Sequence, residues 1–468
     1  MSFFIKSKNN SRLGIAEKKF KGNNVKRKIK NSEGVLKKKK KNKFDDEEIE
    51  SSEDEAGRPE RPPPAAESED DAEETSQEKR LRLAKLYLSE LEKEEAERRE
   101  GQAPDRDLIA RRLKEGVLEQ SGRLRRTVAD EYAGPDLSAV ALLRCKQQSC
   151  PLTCLVLSAD NTCAFAGAKN GSIVKWSLDK RVKETCILGL RKNSPKDQVG
   201  HKKPVLCLAI STDSHFLASG GEDCVIHVWK PGNLQHIHSF QDHRGSVTGL
   251  AFQHSTHQLF SCSRDKSVKV WNLSEMCYVE TLFGHQADVT AIDALHRERA
   301  LSAGGRDGTV RLWKIVEESQ LIFNGHKGSI DSVKLINEDH FITCGDDGQL
   351  CLWGNLKKKP LCIVNNAHGI SESNEEANWV SSIAALVNTD LVASGSHDGH
   401  VRLWKCGSGF RELTCVMQVP VTGFVNALCF TSDGSHLIAA VSKEHRFGRW
   451  WTIKEAKNAI VIIPLLKK

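Results

Sequence analysis

Residues 200–229 read GHKKPVLCLAISTDSHFLASGGEDCVIHVW, and the spacing of their punctuation recurs along the chain. A Gly-His pair opens the stretch, two short apolar runs fill it, and a Ser-x-x-x-Asp step precedes the closing tryptophan. Working outward, tryptophans fall at 176, 229, 271, 313, 353, 404 and 450. His201, His243, His285, His326 and His368 stand 28, 28, 28, 27 and 36 residues before Trp229, Trp271, Trp313, Trp353 and Trp404. Six residues before each of those five tryptophans comes an aspartate: Asp223, Asp265, Asp307, Asp347 and Asp398. Four residues earlier still is a hydroxyl in four units (Ser219, Ser261, Thr343 and Ser394), whereas the unit of Asp307 has Ala303 there.

A period near 40 residues, with β-like runs cut by turns, is the signature of stacked or radial repeats rather than of one compact core. The pattern resembles the WD-repeat family, whose units open near Gly-His and close near a tryptophan. The resemblance implies an all-β, seven-bladed WD40 β-propeller over residues 138–468. In that family the turn aspartate takes hydrogen bonds from backbone N–H groups and the histidine, the histidine meets the hydroxyl, and the hydroxyl meets the indole. Catalysis would need one special His–Asp pair facing a cleft. Five copies at one spacing are expected to be structural.

The outer units depart from the pattern. The first has Asn170 and Ala166 in place of aspartate and hydroxyl and has no histidine; the last has Glu444 and Ala440. Terminal repeats often drift. Two strands compete to complete the seventh blade, SAVALLR (138–144) and NAIVIIPLL (458–466), and the sequence leaves the choice open. Insertions fall near 189–200, with basic residues, and near 369–379, with acidic ones.

The residue before the turn aspartate is expected on one face of the ring. In chain order it is Lys169, Glu222, Arg264, Arg306, Asp346, His397 and Lys443, and Arg446 and Arg449 follow the last turn. Lys169, Arg264, Arg306, Lys443, Arg446 and Arg449 are therefore the candidate RNA-binding residues, since clustered guanidinium and ammonium groups suit phosphate. Aromatic residues make up only 6%, which argues against loose single-strand binding and for a structured RNA.

Composition divides the rest of the 468 residues. Residues 1–43 hold fourteen lysines and two arginines against two glutamates, a net of +14; residues 45–74 hold fifteen acids against two arginines, a net of −13. Such blocks cannot bury enough apolar surface to offset chain entropy, so 1–75 is expected to be a disordered tail. Its Lys37, Lys38, Lys39, Lys40 and Lys41 read as a nuclear or nucleolar address. Residues 76–133 change to helical period: a Thr75–Glu78 capping box, then Leu81, Ala84, Leu88 and Leu91 on one face, and Ile109, Leu113 and Val117 on another. This segment is expected to dock a partner. All fifteen cysteines lie at or after Cys145 without a Cys-x-x-Cys pair, which argues for reduced thiols and against a metal or other cofactor. No apolar run is long enough for a membrane span.

Stretches the repeat does not demand narrow the resemblance. QEKRLRLAKLYLSELE (77–92), YVETLFGHQ (278–286), EESQLIFNGHKGSID (317–331) and EHRFGRWW (444–451) resemble the U3 small nucleolar RNA-interacting branch of the WD-repeat family. That resemblance implies a non-enzymatic component of a box C/D ribonucleoprotein. Its RNA would be the kink-turn B/C element of U3, met after a small kink-turn-binding protein and the other core proteins. Its setting would be early pre-ribosomal RNA (18S) processing with small-subunit processome proteins in the nucleolus. The alternative is a protein-only scaffold in chromatin or ubiquitin-ligase assemblies, because the fold alone fixes no function. The ligase adaptors' Trp-Asp-x-Arg ending is missing here.

Overall fold

The computed structural model describes residues 106–120, 124–190, 199–371, 375–449 and 452–468, with single helical positions between 79 and 93. Two units separate, Met1–Arg82 and Leu83–Lys468. The charged blocks and Lys37–Lys41 lie outside the described residues. Between 79 and 93, Leu81, Leu83, Leu86 and Leu88 are exposed.

Seven antiparallel sheets form a ring. Blade 1 comprises Leu152–Leu157, Cys163–Ala168, Ile173–Ser177 and Val182–Ile187, and the next five begin at Val205, Val247, Val289, Ile330 and Ser382. Inner strands read as near-continuous apolar runs because neighbours cover both faces, whereas outer strands such as Val182–Ile187 are largely exposed. The core is a series of inter-blade clusters; one packs Leu259 and Trp271 of blade 3 against Ala218 and Val228 of blade 2. Hydroxyls at the start of several inner strands tie a blade to the next. Thr153 donates to the Val205 carbonyl (2.5 Å), Thr290 to Ile330 (2.6 Å) and Ser381 to Val425 (2.7 Å). At the join of blades 7 and 1, Ser442 Oγ donates to the Leu152 carbonyl (3.0 Å).

Both competing strands belong to blade 7. Phe424–Phe430, His436–Ser442 and Ala459–Lys467 are its first three strands. Tyr132–Pro135 and Ala141–Leu143 both pair with the third and together form its outer edge. Closure by the N-terminal segment removes a free edge from the ring. The seventh tryptophan is a correction: Trp450 precedes this third strand and lies outside the described residues. Ile462 faces Ile438 in the register where Trp229 faces Leu217. Ile462 packs with Ile438, Ala440 and Trp176, so the lattice position is filled by an aliphatic residue.

Ahead of the ring, helix α1 (Arg106–Gln120) leads into a segment held on blade 6. Asp390 Oδ1 accepts the N–H groups of Val128 (2.7 Å) and Ala129 (3.0 Å). Arg125 donates to the Cys406 (2.7 Å) and Gly407 (2.8 Å) carbonyls and lies over Phe410. All fifteen cysteines are free thiols, and among the described residues no helix is long and apolar enough to cross a membrane.

Candidate nucleic-acid interface

The five His–Asp pairs are buried and fully committed to the blades. In blade 3, His243 Nδ1 bonds Asp265 (2.9 Å), His243 Nε2 bonds Ser261 Oγ (2.7 Å), and Trp271 Nε1 donates to the same oxygen (2.8 Å). The same chain joins Asp223, His201, Ser219 and Trp229, then Asp347, His326, Thr343 and Trp353. It recurs for Asp398, His368, Ser394 and Trp404. One proton arrangement satisfies every link: Nδ1–H to carboxylate, hydroxyl to Nε2, indole N–H to hydroxyl oxygen. Each aspartate also accepts backbone N–H groups of its turn, Ser267 in the case of Asp265 (3.0 Å). With both imidazole nitrogens occupied, none of the five is poised as a general base.

Blade 4 corrects the expected spacing. Its hydroxyl is Ser302, which meets His285 Nε2 (2.8 Å) and Trp313 Nε1 (2.7 Å) while His285 Nδ1 bonds Asp307 (2.8 Å). Ala303 is only its neighbour. The Gly304–Gly305 pair absorbs one extra residue before the turn, and at Gly304 a Cβ would lie 1.9 Å from Asp307 Oδ1. Ser302→Ala is expected to lower stability by about 1–3 kcal/mol, leaving a buried imidazole and indole without their shared partner. Denaturant unfolding of Ser302→Ala beside Ala303→Ser checks it; an equal loss at both positions would contradict the assignment.

Blade 1 keeps the network with a different residue. Gln148 stands 28 residues before Trp176, the interval of the histidines, and its Oε1 accepts the Trp176 indole N–H at 3.3 Å. Asn170 Oδ1 accepts the N–H of Ser172 (3.1 Å) in the place of an aspartate. The interval was visible in the sequence; only the residue type hid it.

Acid should loosen all five pairs. Burial pushes the Asp307 carboxyl up, but the bonds from His285 and the Thr309 N–H outweigh it and hold the group down at about 2. Asp223, Asp265, Asp347 and Asp398 are likewise lowered, burial being outweighed by their histidines. A carboxyl lowered in the folded state contributes stability above its ordinary range and loses it as pH falls through the folded value. The melting temperature is therefore expected to drop steeply between about pH 4 and pH 2, and Asp307→Asn to flatten part of that slope.

The residues before the turns converge on one end of the ring. Arg264, Arg306, Asp346 and His397 line one cavity of about 820 Å³, and Lys169, Glu222 and Arg264 line an adjoining one of about 250 Å³. The six candidate cations divide into three environments. Arg264, Arg306 and Lys443 are exposed and make no ion pair among the described residues. Lys169 (3.2 Å) and Arg449 (2.9 Å) both bind Glu444, so that trio keeps one net positive charge. Burial raises the Glu444 carboxyl, and the bonds from Arg449 and Lys169 more than offset that.

Arg446 departs from the expected outward position and turns into the central channel. It lines the channel cavity of about 300 Å³, which the inner strands of all seven blades surround. Its guanidinium donates to the Asp331 carbonyl (2.5 Å) and lies 4.5 Å from the Phe447 ring. Asp331 is 3% exposed, and its carboxylate accepts the Trp379 indole N–H. Burial lifts that carboxyl to about 7 despite Arg446. Asp331, Trp379 and Phe447 had no signal in the repeat, because they meet across the ring, Asp331 from the inner strand of blade 5 and the two aromatics from loops of other blades.

At the opposite end, where the first-to-second-strand turns lie, a cavity of about 760 Å³ separates α1 from blades 6 and 7. Arg111, Lys114, Arg126 and Lys467 line it, with Glu131 and Asp433 as the only acids among its lining residues.

The model of the WD domain, G-beta repeat, matches residues 193–230, 234–272, 276–314, 317–354 and 370–405. The chain is 55% identical over 395 residues to U3 small nucleolar RNA-interacting protein 2 of Mus musculus, covering 84% of this chain and 83% of that one. It is 27% identical over 454 residues to ribosomal RNA-processing protein 9 of Saccharomyces cerevisiae, covering 76% and 79%. A solved structure titled "Structure of U3-55K" superposes with a TM-score of 0.68 at 51% identity, covering 71% of this chain and all of that one. The chain belongs to the WD-repeat family of U3 small nucleolar RNA-interacting protein 2.

Proposed function

We propose that this protein is a non-catalytic RNA-binding component of the U3 small nucleolar ribonucleoprotein that serves ribosomal RNA processing. The names of the relatives support that coarse reading. In its finer form, the ring recognises the kink-turn B/C element of U3 RNA after a small kink-turn-binding protein has shaped it. It then supports early cleavage toward 18S RNA in the small-subunit processome, in the nucleolus. The observation that carries the reading is the exposure of Arg264, Arg306 and Lys443 before the turns of their blades, with Arg449 also exposed and Lys169 half-buried against Glu444. An arc of cations on a rigid rim matches a bent duplex through its phosphates and shape.

Two further roles complete the proposal. Lys37–Lys41 serve as the nucleolar address. The 76–133 segment, whose last residues are taken up by blades 6 and 7, docks the neighbouring proteins of the particle through its earlier part, α1 contributing the basic cavity of Arg111 and Lys114. Crosslinking in cells followed by sequencing of the attached RNA tests the whole reading. U3 is expected to dominate the recovered RNA, with crosslinks gathered at its B/C element; recovery spread over unrelated transcripts would defeat it.

A further inference from the structure

The 820 Å³ cavity at the mouth of the channel is not uniformly basic. Arg264 and Arg306 line it together with Asp346, Phe447 and Trp379, and Asp288, Asp331 and Glu376 add further acidic groups. The Arg264 guanidinium lies 5.5 Å from the Phe447 ring centroid, and Arg446 supports the same ring at 4.5 Å. Trp379 lies against His445, tilted with ring centroids 4.0 Å apart, and is bonded to Asp331, so that wall is fixed. Asp346 Oδ1 accepts the Ser329 N–H (2.6 Å), and its second oxygen takes no hydrogen bond among the described residues.

A phosphate alone would not enter an opening with carboxylates in its wall, and a lysine- or arginine-rich peptide would meet Arg264 and Arg306. A nucleotide suits both signs: its phosphate lies toward Arg306, its base beside the exposed Arg264 guanidinium that rests on the Phe447 ring, and its N–H donors toward Asp346. Unpaired bases splayed from RNA are held in this way, stacked on aromatic or guanidinium planes and read along their Watson–Crick edges. A volume of about 820 Å³ is within the range of pockets that bury whole small ligands. Among the four bases, guanine offers adjacent N1–H and N2–H donors that fit a carboxylate in bidentate fashion. We propose that this mouth takes one unpaired guanine of the bound RNA. The inference rests on the RNA-binding reading above and adds base recognition to it.

Titration of the full chain with the four nucleoside 5′-monophosphates, followed by ligand-detected NMR, tests it. Guanosine monophosphate is expected to bind about 10-fold more tightly than the others, the usual discrimination of a good bidentate pair. Asp346→Asn, which keeps an acceptor for the Ser329 N–H, should bring the four within about 2-fold. Phe447→Ala should weaken all four alike. Equal binding of the four by the wild type, no binding at all, or a preference that survives Asp346→Asn would each overturn the proposal. Structured U3 RNA is titrated in parallel: if it binds while the mononucleotides are not distinguished, base recognition fails and the RNA reading stands. If U3 RNA also fails to bind, the reading beneath it has failed.

Discussion

Charge reversal at two positions, Arg264→Glu with Arg306→Glu, is expected to cut affinity for the kink-turned U3 stem by about 100-fold or more at 100 mM salt. Charge-assisted hydrogen bonds contribute about 1.5–3 kcal/mol each, so losing two corresponds to a factor of about 100 at the lower bound. Repulsion between the introduced carboxylates and phosphate adds to the loss. Both side chains are exposed and lie outside the His–Asp networks, so the ring is expected to keep its melting temperature. Arg264 spends part of its surface on Phe447, which makes Arg306→Glu alone the cleaner electrostatic probe. Gel shift with the kink-turn protein present, paired with thermal unfolding, separates the two readouts. Unchanged affinity in a folded double variant would remove the site.

Arg446→Ala is expected to act by another route, through stability that depends on pH. The substitution removes the bond to the Asp331 backbone carbonyl and the nearby positive charge that favours the buried Asp331 carboxylate. Asp331 already titrates at about 7, so without Arg446 it should hold its proton to higher pH still. The sign follows. A carboxyl raised in the folded state binds more protons there than in the unfolded chain, so stability falls as pH rises from the ordinary carboxylate range to the folded value. In the wild type that fall should end near pH 7; in the variant it should continue upward. The gap in melting temperature between the two is thus expected to be wider at pH 8.5 than at pH 5.5. An equal gap at both would mean that Asp331 and Arg446 are not coupled.

How much could be read in advance divides along a physical line. Ring, blade count and the five networks were legible because each depends on residues at fixed separations within one repeat, as with His201, Ser219, Asp223 and Trp229. Ser302 was missed by one position because a diglycine turn absorbs an extra residue at little conformational penalty. Gln148 was missed because an amide replaces an imidazole at an unchanged interval. The third strand of blade 7 was misplaced for the opposite reason: Trp450 mimics the lattice residue that Ile462 supplies. The mouth was only half legible. Periodicity brought Lys169, Arg264, Arg306 and Lys443 to one end, but it could not show that Glu444 holds Lys169 and Arg449. Nor could it show that Arg446 reaches across to the inner strand of blade 5, since contacts between different blades leave no period in the chain.

The central claim is that exposed cations on this rim grip RNA phosphates, and the salt dependence of binding addresses it most directly. Affinity for the U3 B/C stem, measured from 50 to 200 mM salt, should fall linearly on a log–log scale as counterions are released. The slope of Arg264→Ala with Arg306→Ala should be shallower by about 1.4–1.8, the value for two lost phosphate contacts. A wild-type affinity that barely moves with salt, or a double variant whose slope matches the wild type, would contradict the account.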